Sequence, residues 1–123
     1  MAYVIKPNER TQFRGGKNIL ASEIVQYVHG GATFDASAFE AGIIEVGQLV
    51  ARNQETGKYE PFSTVEGFDN FYILNEDHDH DGVSDFVSGA VIIEGSVYEA
   101  KLPVEVPAEF KEQNPNIHYV NHI

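Results

Sequence analysis

From Ile19 onward the apolar residues come in short runs separated by turn residues, which is the spacing of strands rather than helices. Glu23 to His29 alternates, with Val25 and Tyr27 offset from Ile24, Gln26 and Val28, and predicts a strand covered on both faces or lying at an interface. Gly47 to Arg52 and Lys58 to Phe62 are β-prone runs joined by the polar loop Asn53-Gln54-Glu55-Thr56-Gly57, a hairpin pattern. A second hairpin is predicted over Ala90 to Leu102, with Gly95-Ser96 as a type II′ turn. Beyond that turn Tyr98, Ala100 and Leu102 point one way, and Val97, Glu99 and Lys101 the other. Phe71 to Leu74 predicts a strand running into an acidic loop from Asn75 to Asp85, and Ile117 to Val120 a final strand. Helix is scarce: one turn at Ala36 to Glu40, and Pro107 to Gln113, which starts at a proline and is stopped by Asn114-Pro115. The fold class is therefore mainly β, a β-rich α+β domain built as a small barrel or sandwich with one or two short helices.

The first 18 residues break this pattern. A β-prone patch, Tyr3-Val4-Ile5, is followed by Pro7, Asn8 and the Gly15-Gly16 pair, which predicts an extended N-terminal arm on a single domain spanning residues 19–123. With 123 residues, 42% of them hydrophobic, the chain is long enough to bury about two thirds of its unfolded surface without a staple. No apolar run approaches the ~18 residues of a spanning helix. The opening residues lack the apolar core and small-residue cleavage site of a secretory signal, so use without export is expected.

Charge sharpens the division between arm and body. Eight Lys and Arg against 19 Asp and Glu give a net charge of −11, which argues against general affinity for nucleic acid or anionic lipid. Four of those basic residues, Lys6, Arg10, Arg14 and Lys17, fall in the first 17 positions beside the single acid Glu9, so this segment carries +3. The other four basic residues and 18 acids leave the remaining 106 residues at −14. An arm so unlike its body reads either as a segment that meets an acidic surface, its own or a partner's, or as a solubilising, frayed terminus.

Cysteine is absent, which excludes disulfides, thiolate metal sites and thiol nucleophiles. The most conspicuous local motif is Asp77-His78-Asp79-His80-Asp81-Gly82-Val83-Ser84-Asp85. Its alternate carboxylates and glycine match the first half of a calcium loop, with Asp77, Asp79 and Asp81 as ligands, the carbonyl of Val83 next and Asp85 beyond. Ser88 stands where the loop needs a bidentate Glu, and a solvated acidic loop is the competing reading. His78 and His80, with His118 and His122 near the end, raise a zinc or nickel alternative, although nothing in the sequence joins the two pairs; His29 has no evident partner. Neither a nucleophile elbow nor a phosphate loop is present, and paired carboxylates carry no information in so acidic a chain. No catalytic activity is expected. Several of the six tyrosines suit half-buried strands or a protein contact.

An ordered series of segments from about Phe39 to Ile123 carries a family likeness. Glu40-Ala41-Gly42-Ile43-Ile44-Glu45-Val46-Gly47-Gln48-Leu49-Val50-Ala51-Arg52 is followed by Asn53 to Phe62 with its Thr-Gly-Lys-Tyr-Glu-Pro, then Phe71 to Asp77 with Ile-Leu-Asn-Glu-Asp, then Gly89 to Leu102, then Phe110 through Ile117-His118-Tyr119-Val120. In that order these resemble the head decoration proteins of tailed bacteriophages, the lambda-type capsid-stabilising family. The resemblance implies a compact β-rich domain, a homotrimer at local three-fold positions on the outer capsid surface of the virion, the major capsid protein as partner, and synthesis in the host cytoplasm. It implies no cofactor, no catalysis and no direct contact with nucleic acid or membrane. It also assigns capsid binding to the arm, here Tyr3, Val4, Ile5 and Lys6 as an added strand with Arg10, Arg14 and Lys17 as its cations. The Asp77 to Asp85 loop stands outside the resemblance, and a calcium-dependent β-type binding or adhesion module using that loop is the alternative function.

Overall fold

The computed structural model describes residues 18–121. The arm residues Tyr3, Val4, Ile5, Lys6, Arg10, Arg14 and Lys17, and His122 at the other end, lie outside the described residues.

The architecture is mainly β. Among the described residues ten strands form: β1 (Gln26–Tyr27), β2 (Ala32–Phe34), β3 (Gly42–Ile44), β4 (Leu49–Asn53), β5 (Tyr59–Pro61), β6 (Phe68–Leu74), β7 (His78–His80), β8 (Phe86–Ser88), β9 (Val91–Tyr98) and β10 (Ile117–Val120). One α-helix, α1 (Ala108–Gln113), and two 3₁₀ turns, Ala36–Ala38 and Glu99–Lys101, complete it. Eight strands make one sheet in the order β1-β9-β6-β4-β5-β2-β8 with β10 also on β9, while β3 and β7 pair separately. The sheet curls into a half-barrel.

Period-two alternation explains why the central strands read as nearly continuous apolar runs. Leu49, Ala51, Phe71, Ile73 and Ile92 face one core, which α1, β10 and the residues around Ile19 close; Val50, Leu74 and Val91 face a second, built with Phe34, Phe39, Ile44 and Tyr59. In the first core Phe110 of α1 is fully buried and meets Phe62 and Phe71 edge-on, at ring-centroid distances of 5.0 and 6.0 Å. This is the favourable arrangement for ring quadrupoles. Pro107 heads the helix and its carbonyl accepts from the Phe110 and Lys111 amides, as the Pro-start pattern anticipates.

The first hairpin forms as expected, with Val50 opposite Pro61 and Arg52 opposite Tyr59; Asn53 closes the loop by accepting from the Glu55 and Thr56 amides. The second does not form. Residues 91–98 are a single strand, because the chain continues through Gly95 without reversing and each half of β9 finds its own neighbour. Val91 and Ile92 pair with β6, whereas Gly95 to Tyr98 run parallel to β10. Gly95 has φ of +147°, and a Cβ there would lie 3.2 Å from Val25 Cγ2, so the glycine serves a close approach. The alternation expected through Leu102 also stops at Tyr98, where the Glu99–Lys101 turn begins. Glu23 to His29 contributes only the two-residue β1, and Ile24 is 88% exposed rather than covered.

Candidate functional site

The described chain begins at the root of the arm, and that root is built into the domain. Ile19 is fully buried. Its carbonyl accepts from the Tyr98 amide at 2.8 Å, Leu20 bridges Val97 in antiparallel fashion, and the Ala21 amide donates to the Ser96 carbonyl at 2.8 Å. Asn18 caps this run, its Oδ1 accepting from the Leu20 amide and its carbonyl from Lys101 Nζ. The arm therefore leaves from a strand-like seam on β9, the strand that also carries β1, β6 and β10. The sequence holds a signal for this in Ile19-Leu20, the first apolar pair after the glycines.

All four basic residues of the described domain are engaged within it. Arg52 makes a two-pronged pair with Asp69 (2.8 and 2.7 Å), Lys58 pairs with Asp85 at 2.6 Å and Lys111 with Glu99 at 2.9 Å. Lys101, besides its bond to Asn18, lies 4.8 Å over the Tyr98 ring. The pairs mark their partners: Asp69 and Asp85 are held below the usual carboxylate range by the hydrogen bonds from Arg52 and Lys58, and both cations are raised in return. The acidic body has thus committed its own cations, and the arm's four remain the counterweight to its −14.

The acidic segment is more ordered than a solvated loop. Residues 78–80 form β7 against β3, with Gly42, Ile43 and Ile44 opposite His80, Asp79 and His78. Asp77 Oδ1 accepts from the Val46 amide at 2.8 Å. Asp79 is exposed on the strand. Asp81 folds back on its own turn, accepting from the Val83 and Ser84 amides at 2.7 and 2.9 Å, and these bonds hold its carboxyl below the usual range. Gly82 at φ +83° makes that turn. Asp85 accepts from the Ala36 amide at 2.8 Å in addition to Lys58. Val83 is 81% exposed. The carboxylates of the motif thus serve four separate places, and no group of three or more His, Asp or Glu able to hold a metal ion occurs among the described residues.

The two histidines of this segment are packing elements. His78 stacks on Phe86 with ring centroids 3.8 Å apart, and Phe86 stacks in turn on Phe34 at 4.8 Å. His80 is buried and hydrogen-bonds the Ala36 carbonyl through Nε2 at 3.1 Å. His118 is exposed on β10, opposite Ser96, and the structure does not bring it to the His78–His80 pair. Sequence reasoning saw the alternation of this segment as ligand spacing; it is also the alternation of a strand.

No family model, curated protein or solved structure matches this chain. Among the described residues no helix is long and apolar enough to cross a membrane.

Proposed function

We propose that this protein is a structural head decoration protein, without catalytic activity, that binds the outer surface of a phage capsid through its basic arm and stabilises the expanded head by bridging major capsid subunits. The observation that carries the reading is the arm root. A segment with +3 charge precedes residues 18–21, which are stitched to β9 by the two backbone hydrogen bonds of the Leu20–Val97 bridge and by a buried isoleucine. A segment attached in this way transmits tension into the core instead of fraying, which is what a clamp between capsomers requires. Strand addition by Tyr3 to Lys6 needs only β-prone residues and free backbone groups, and Arg10, Arg14 and Lys17 supply attraction to carboxylates.

Assembly as a trimer around a local three-fold position fits the remaining surface. The terminal strand β8 carries Val87 at 66% exposure, and Ile43 and Val104, which line one depression, are also exposed. Closure of a symmetric ring covers such edges and residues. Many modest contacts then resist internal pressure through multivalency.

The test is addition of the purified protein to expanded phage heads lacking their decoration protein. Saturable binding at up to one trimer per local three-fold site is expected, and a chain lacking residues 1–17 should lose binding while keeping its thermal midpoint. Binding undiminished by that deletion, or none by the full chain, would overturn the reading.

A further inference from the structure

β6 and β9 pair at Ile73–Ile92 and Leu74–Val91 and then separate; from Gly95 onward β9 has β10 as its neighbour. A fork opens where one partner leaves and the other arrives. Asn114 sits in it, buried, with its side-chain amide donating to the carbonyls of Phe71 at 2.9 Å and Ile93 at 3.4 Å, one on each strand. Its Oδ1 accepts from the Asn116 amide, and the Asn116 carbonyl accepts from Gly95. A side chain thus takes the place of ladder hydrogen bonds and keeps the fork from closing.

The result is a cleft of about 360 Å³ at the fork, continuous in its lining with a second of about 320 Å³ that shares Gln26, Glu94 and Asn116. Five of the chain's 13 Asn and Gln side chains line the first cleft. Asn114 is committed to the strands. The side-chain amides of Gln113 and Asn116, the Glu94 carboxylate and the Tyr72 hydroxyl make no hydrogen bond among the described residues. Asn70, on the same wall, is the one non-glycine among the described residues with positive φ, at 52°. It sits at a bulge, where residues 70 and 71 of β6 stand opposite Ala51 of β4.

The chemistry of the lining selects a ligand class by what it offers and what it lacks. Among the described residues no Lys or Arg lines either cleft and all four are engaged elsewhere, so these residues offer a phosphate or carboxylate ligand no ammonium or guanidinium, His118 of the second cleft being the one imidazole there. Glu94 adds a repulsion against anions. Amides present a donor and an acceptor side by side, matching vicinal hydroxyls, each of which also donates and accepts. The walls supply Tyr72 and Ile93 for the C–H faces of a ring, Phe71 contributing its backbone while its side chain stays in the core.

We propose that this fork is a binding site for a neutral oligosaccharide, with Gln113, Asn116 and Glu94 pairing its hydroxyls and Gln26, whose Nε2 is held by His29 Nε2 at 2.8 Å, offering its Oε1, the second cleft extending the site past a single ring. The proposed site does not rest on the capsid-binding reading. It gives the protein a sugar-recognition function on the surface of whatever it coats.

The test uses the full chain on an array of neutral oligosaccharides, followed by titration of the best ligand into isotopically labelled protein. At least one neutral oligosaccharide should be retained, with saturable amide shifts at residues 70–72, 93–96 and 113–116. The double substitution Gln113→Ala, Asn116→Ala, at exposed positions, should weaken binding at least tenfold with the thermal midpoint unchanged, and Glu94→Gln should weaken it with the fold equally intact. An empty array, shifts that map elsewhere, undiminished binding by the double variant, or displacement of the sugar by inorganic phosphate would each overturn the proposal.

Discussion

Leu20 lies opposite Val97 in an antiparallel bridge, and the two residues join the base of the arm to the half of β9 that lies beyond Gly95. The seam holds because Ile19, beside the bridge, is fully buried in the core shared with Val97, Phe110 and Ile117. Ile19→Ala deletes buried methyl groups there and should cost about 2–5 kcal/mol by urea unfolding, the range for large-to-small core changes. On the proposed capsid-binding reading the same variant should also bind heads more weakly than wild type at a temperature where both are folded, because the attachment at residues 19–21 is loosened. A cost within experimental error of zero would show that the root stands outside the cooperative unit.

Gly95 combines a positive φ with a close neighbour, and the two effects separate experimentally. Gly95→Ala should cost about 1–3 kcal/mol, the penalty for an L-residue held in a disfavoured backbone region. Part of it is contact with Val25 Cγ2, 3.2 Å from the new Cβ. Adding Val25→Ala should recover the contact and leave the backbone part, so the pair will be non-additive in a double-mutant cycle. Strict additivity would mean that the backbone accounts for the whole effect.

The same glycine shows where the sequence was legible and where it misled. Local rules worked wherever the information was local: the β4–β5 hairpin with its Asn53 loop, the Pro107-headed helix, the last strand and the mainly β class all follow from spacing and turn residues. Gly95-Ser96 satisfied a local turn rule but obeyed a non-local demand, the exchange of β6 for β10 along one strand. Likewise Asp77 to Asp85 has both ligand spacing and strand spacing, and only the partner strand β3 distinguishes them. The fork cleft was invisible because Gln26, Asn70, Glu94 and Asn116 are far apart in sequence and meet only through topology.

Acid should weaken the fold through its ion pairs, with a definite sign. The Asp69 and Asp85 carboxyls, and Asp81 through its backbone bonds, titrate below their usual value of 3.8 in the folded state. The unfolded chain therefore binds protons first on acidification, and the stabilisation, fully present above about pH 5, is lost as pH falls through 3.8 toward the folded values. Asp69→Asn and Asp85→Asn should each flatten the fall of unfolding free energy below pH 4, and salt should shrink the effect at these surface sites. An unchanged pH slope in both variants would remove these pairs as its cause.

Calcium tests the acidic segment directly. Asp77, Asp81 and Asp85 already accept backbone amides or a lysine, so an ion would have to compete with bonds that shape the segment. Calorimetric titration with calcium is expected to give no low-micromolar site and no large rise in thermal midpoint. Asp81→Ala should lower the midpoint with or without calcium, because the Val83 and Ser84 amides lose their acceptor. Tight binding with a large thermal shift would instead assign the segment a ligand role.

Tyr119 carries the clearest removable cost. Its hydroxyl is buried without a hydrogen-bond partner, and burial, with the nearby Glu99 charge, raises its pKa so that the phenol stays neutral. The ring itself is useful, lying beneath Lys111 Nζ at 5.1 Å and packing on the first core. Tyr119→Phe keeps the ring and deletes the unpaired oxygen, whose desolvation costs about 1–3 kcal/mol. Some of that returns as a small cavity and a weaker cation–π contact, so a net gain of about 1 kcal/mol is expected, read as a higher urea midpoint at unchanged slope. A loss of stability instead would mean that the hydroxyl has a partner, and Tyr119→Phe combined with Lys111→Met would then show whether that partner is reached through the lysine.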